Sequence, residues 1–112
     1  MTQAFTLPDL AALIASRQNA VADTSYTRSL LDAGLTKCAR KFAEEATELV
    51  IAAVERDKKA ITLESADVLY HLLVVLHAGN VSLSDVMDEL SRRTGQSGLQ
   101  EKAGRSKPAA RP

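Results

Sequence analysis

Five carboxylates in this chain stand at spacings that let them act together: Glu44, Glu45 and Glu48 in one stretch, Glu64 and Asp67 in the next. Both stretches have helical periodicity. Residues three or four apart share a helix face, so Glu45 points with Glu48 and Glu64 with Asp67, while Glu44 borders the first pair. Two such helices packed antiparallel would bring four or five carboxylates to one spot. Like charges at that density repel one another unless a cation sits among them. Oxygen-only ligands suit a hard divalent ion, Mg2+ being the usual one when phosphates complete the shell. A plainer reading stands beside this one. Acids at these spacings also line solvated helix faces, and Lys41 can simply pair with Glu44 or Glu45.

The surrounding chain must supply helices to hold these groups. Thr6-Leu7-Pro8-Asp9 is a helix start, with an apolar stripe of Leu10, Leu13, Ile14 and Val21 behind it. Ser25 to Leu31 predicts a short helix or turn closed by Gly34, and its Ser25, Thr27 and Arg28 serve as cap and surface charge or, more sharply, as phosphate contacts. The next helix is capped by Thr36 and runs to about Arg56. Its buried stripe is Leu35, Cys38, Phe42, Ala46, Leu49, Val50 and Ala53. Lys37, Arg40 and Lys41 precede the acids along it. That order suits a metal-chelated polyphosphate and opposes the helix macrodipole, which favours acids first.

The fourth helix starts at Ala60 or Leu63, ends before Gly79 and is apolar nearly all round beyond Asp67, so it belongs at the centre. His71, four residues after Asp67, is either a satisfied core histidine or the group that orients Asp67. Ser82 or Ser84 caps a fifth helix whose Val86, Leu90 and Met87 face inward. The expected fold is therefore all-α, a four- to five-helix bundle over residues 1–95. The flexible basic tail, 96–112, carries Lys102, Arg105, Lys107 and Arg111 against Glu101.

Composition excludes several classes. The 112 residues are 46% apolar and 25% charged with zero formal net charge, so no global field draws nucleic acid or anionic membrane. The lone Cys38 forms no internal disulfide and falls on the apolar face. No secretory signal pattern and no apolar run of spanning length is visible, which predicts a cytoplasmic protein. Strand alternation, glycine-rich phosphate loops and zinc spacings are likewise missing from the sequence.

Taken together, the motifs resemble the phosphoribosyl-ATP pyrophosphohydrolase family, within the all-α nucleoside triphosphate pyrophosphohydrolases related to MazG. Glu44-Glu45-x-x-Glu48 followed by Glu64-x-x-Asp67 matches the superfamily mark. The narrower likeness lies in Ser25-Tyr26-Thr27, Gly34-Leu35, Lys41 through Glu48, Ala66 through Leu73 and Val81 through Val86. The resemblance implies hydrolysis of phosphoribosyl-ATP to phosphoribosyl-AMP and pyrophosphate, the second step of histidine biosynthesis. It implies Mg2+ on Glu45, Glu48, Glu64 and Asp67, with Glu44 in or just behind that set and a candidate general base. Lys41, with Lys37 and Arg40, would hold phosphate oxygens, and Ser25, Tyr26 and Thr27 would contact sugar or phosphates. A homodimer is the family default. The fused cyclohydrolase of some members needs cysteines and histidines that this sequence lacks, which implies the standalone form. Two other readings remain open here: a house-cleaning pyrophosphohydrolase acting on dUTP, dCTP or damaged nucleotides, and a non-catalytic helical dimerisation module with an acidic face.

Overall fold

Five helices and no strand make up the described part of a computed structural model, residues 4–19 and 25–95. They are α1 (Leu7–Arg17), α2 (Tyr26–Ala33), α3 (Leu35–Val54), α4 (Lys58–Ala78) and α5 (Leu83–Thr94). The expected all-α class is observed. Val21 and the basic segment 96–112 lie outside the described residues.

Four of the five helix starts have a side-chain cap. Thr6 and Asp9 exchange side-chain and backbone hydrogen bonds in a capping box, with Pro8 in the first turn of α1. Ser25, Asp57 and Ser82 accept backbone N–H groups at the heads of α2, α4 and α5. Three boundaries differ from the sequence expectation. Helix α1 stops at Arg17, because Ser16, Arg17, Gln18 and Asn19 offer nothing apolar to bury. Thr36 does not cap α3. Gly34, at φ 98° and ψ 168°, turns the chain directly from α2 into α3 and leaves Thr36 inside the first turn. The Asp57 cap starts α4 earlier, at Lys58.

The described residues divide into two compact units, parting between Val81 and Ser82. In the first, α4 packs against α1, α2 and α3, its largest interface being with α3. Only three residues, Glu55 to Asp57, join α3 to α4, so the two form an antiparallel hairpin. Ile14, Cys38 and Val74 are the most deeply buried large side chains of this unit, and Leu30, Ala52 and Leu73 are also buried. Burying an aliphatic side chain of this size contributes about 1.5–3 kcal/mol. Cys38 occupies the core as expected and its thiol donates to the Leu30 carbonyl at 3.2 Å.

The apolar stripe of α3 is only partly covered. Phe42, Ala46 and Leu49 are half-buried, but Leu35, Val50 and Ala53 are exposed. Periodicity marks the apolar face of a helix without saying how wide a partner will cover it. Helix α4 is long and apolar enough to cross a membrane by length and composition alone. It also carries Glu64 and Asp67 and packs along three other helices, as a core helix does. The second unit holds α5, where Val86 is half-buried while Met87 and Leu90 stay exposed, contrary to the inward placing expected of all three.

Candidate active site

The α3–α4 hairpin brings the two acidic clusters together. Carboxylate oxygens of Glu45, Glu64 and Asp67 lie within 4.8 Å of one another, with Glu45 and Glu64 half-buried and Asp67 exposed. Partial burial pushes the Glu64 carboxyl above its ordinary value, and the charges of Asp67, Glu48 and Glu45 push it further, as does a hydrogen bond to Asp67. Glu48 thus adds its field to the cluster although it stands outside the closest three. The donor set is all oxygen, crowded and short of positive charge, which fits a hard divalent cation.

Lys37, Lys41, Glu45 and Glu48 follow one another at helical spacing along one face of α3. Lys41 Nζ donates to Glu44 Oε1 at 3.1 Å. That hydrogen bond and the Glu44 charge raise the Lys41 ammonium above its ordinary value, with smaller contributions from Tyr26 and Glu45. Glu44 therefore faces Lys41 and is not one of the three converging acids. Lys37 and Arg40 are exposed on the same helix.

The Ser25-Tyr26-Thr27 stretch meets α4 one turn beyond Asp67. Ser25 is buried as the α2 cap, its Oγ accepting from the Arg28 N–H at 3.1 Å. Thr27 is buried and hydrogen-bonds the Tyr70 hydroxyl. Tyr26 stacks on Tyr70 with ring centroids 6.4 Å apart, and both rings stand edge-on to His71. His71 is buried with both ring nitrogens engaged, Nδ1 with the Asp67 carbonyl and Nε2 with the Tyr26 hydroxyl. It is a satisfied core histidine that touches the backbone, not the carboxylate, of Asp67.

Between α1, α2 and α4 lies a cavity of about 280 Å3, lined by Ser25, Tyr26, Thr27 and Tyr70 on one side and by Ile14 and Arg17 among the residues of α1. Sequence reasoning singled out neither Arg17 nor Tyr70 for this site. Tyr70 carried a signal, standing i,i+3 from Asp67 on the same face. Arg17 carried none, since its place depends on how α1 docks.

Comparison with known proteins identifies the family. Residues 7–94 match the family model described as Phosphoribosyl-ATP pyrophosphohydrolase. The chain is similar to the phosphoribosyl-ATP pyrophosphatase of Rhizobium meliloti (strain 1021), 56% identical over 104 residues, covering 93% of this chain and 97% of that one. The corresponding protein of Azorhizobium caulinodans is 56% identical over 102 residues, covering 91% of this chain and 94% of its own. That of Methylobacterium radiotolerans is 58% identical over 102 residues, covering 91% and 95%.

Proposed function

Because this chain belongs to the phosphoribosyl-ATP pyrophosphohydrolase family, we propose that its α3–α4 hairpin hydrolyses phosphoribosyl-ATP to phosphoribosyl-AMP and pyrophosphate. The protein is a hydrolase of histidine biosynthesis. The observation that carries the assignment of the site is the meeting of Glu45, Glu64 and Asp67 within 4.8 Å. With Glu48 they would hold Mg2+. Bound there, Mg2+ supplies positive charge to triphosphate oxygens and to the charge developing on the leaving pyrophosphate.

The chain's own residues do the rest. Lys41, flanked by Lys37 and Arg40, binds phosphate oxygens and orients the triphosphate. Phosphate on Lys41 competes with Glu44 for its ammonium and frees that carboxylate to take a proton from water. The water oxygen bonds to the α-phosphorus, the α–β anhydride bond breaks, and pyrophosphate leaves with the bonding pair. Ser25, Tyr26 and Thr27 contact the sugar and phosphates of the substrate.

A second copy of the chain completes the fold on this reading. Val50, Ile51 and Val54 on α3 and Leu63 and Leu69 on α4 are exposed, from 42% to 76%. Apolar surface spread over two adjoining helices is what a homodimer buries. The site of action is the cytoplasm.

Pyrophosphate release from phosphoribosyl-ATP, dUTP, dCTP and ATP, each with Mg2+ and with excess EDTA, tests the activity. Release chiefly from phosphoribosyl-ATP, abolished by EDTA, is the expected result. Preference for a deoxynucleotide would move the protein to the house-cleaning branch, and no metal-dependent release would leave a binding module.

A further inference from the structure

The substrate named above is anionic at two separated places, the triphosphate and the phosphate of the phosphoribosyl group on the base. The basic residues of α3 account for the first. The cavity between α1, α2 and α4 contains the means of holding the second. Arg17, in the last turn of α1, is the one cation among its lining residues and makes no ion pair among the described residues. Its charge reaches the Tyr70 hydroxyl. Burial drives that group above its ordinary value, while the Thr27 hydrogen bond and the Arg17 charge pull the other way.

The cavity and the carboxylate cluster share helix α4, Tyr70 lining the one and Asp67 belonging to the other. Tyr70 stands about one helical turn, roughly 5 Å, beyond Asp67 on α4. Tyr26, which lines the same cavity, exerts its field on Lys41. A ligand that spans from the carboxylates into the cavity therefore passes over the Tyr26 and Tyr70 rings, a surface suited to a flat base. Ser25 and Thr27 each make one hydrogen bond here, so their hydroxyls keep capacity for a sugar. At about 280 Å3 the cavity falls just below the roughly 300–1,000 Å3 of sites that take a whole small molecule. It fits one end of a larger one.

We propose that this cavity receives the phosphoribosyl end of the substrate and that Arg17 holds its phosphate, which makes Arg17 the residue that separates phosphoribosyl-ATP from ATP. The proposal rests on the activity proposed above. A guanidinium is the group for the task, since its planar fork matches two phosphate oxygens at once.

The test uses the full chain with saturating Mg2+ and the variants Arg17→Met, which keeps the apolar stem, and Arg17→Lys, which keeps the charge. The readout is the ratio of the KM for phosphoribosyl-ATP to the Ki of ATP as a competitor. Losing a charge-assisted phosphate contact should raise that ratio about 10- to 100-fold in Arg17→Met, with Arg17→Lys intermediate. A rise of less than about tenfold in Arg17→Met, or equal weakening of both ligands, overturns the proposal. Failure of the activity itself is recognised separately, because then the wild-type protein releases no pyrophosphate from phosphoribosyl-ATP.

Discussion

His71 Nδ1 donates to the Asp67 carbonyl oxygen at 2.9 Å, and this one bond fixes the tautomer of a buried ring. A carbonyl only accepts, so Nδ1 carries the proton and Nε2 is left to accept from the Tyr26 hydroxyl at 3.4 Å. The acidic helix and the Ser25-Tyr26-Thr27 stretch are thereby tied through a single side chain. His71→Leu removes both bonds and leaves the core filled. It should cost about 1–3 kcal/mol in urea unfolding, the range for breaking buried hydrogen bonds.

The carboxylate cluster should be a liability without metal and an asset with it. Glu64→Gln removes one of the crowded charges, so its melting temperature in EDTA should exceed that of the wild type. Adding Mg2+ should raise the wild type's melting temperature and barely move the variant's. Turnover in Glu64→Gln or Asp67→Asn should fall 100-fold or more, since a metal's charge stabilisation is worth several kcal/mol. A variant with wild-type turnover would remove these residues from the metal set.

Glu89 is held down to a pKa of about 2 by hydrogen bonds from Arg92 and Arg93. A carboxyl lowered in the folded state stabilises it above the unfolded value near 4.5, and that contribution disappears as pH falls through about 2. Helicity of α5 should therefore decline across this acid window. In Glu89→Gln that acid-dependent loss should be absent, as circular dichroism against pH would show.

Gly34 isolates backbone strain from crowding. A Cβ added there meets nothing within 4 Å, yet φ 98° with ψ 168° is a region that essentially only glycine occupies. Gly34→Ala should lose about 1–3 kcal/mol of unfolding free energy through the backbone alone. Little change in the denaturation midpoint would mean that the α2–α3 junction can relax.

Val50→Glu places a charge on the exposed apolar face of α3. If that face meets a second copy, sedimentation should show a dimer for the wild type and a monomer for the variant at micromolar concentration. An unchanged assembly would move the interface elsewhere.

Much of this was legible in the residues. Glu45, Glu64 and Asp67 converge because three- and four-residue spacing sets helix faces and a three-residue connection forces the helices antiparallel. Local chemistry also put a cap at Ser25 and narrowed two others to Thr6 or Leu7 and to Ser82 or Ser84, of which Thr6 and Ser82 are the caps observed. What escaped were features set by the docking of distant segments. Arg17 reaches the cavity only through the packing of α1 on α4, and nothing around it in the chain marks that. Leu35 and Val50 keep the period of a buried stripe yet remain exposed, since period fixes direction and not coverage. Thr36 looked like a cap because its side chain suits the role. The backbone of Gly34, one residue before Leu35, had already made the turn.

The short α3–α4 connection also predicts an order of assembly. Its contacts are local in sequence and close across three residues, so little loop entropy opposes them, and local contacts form fast. Helix α1 must instead find α4 across the whole of α2 and α3. The carboxylates can therefore meet while the cavity that holds Arg17 is still open. On the roles proposed for the two sites, a chain arrested between those events would bind a cation before it could tell one nucleotide from another.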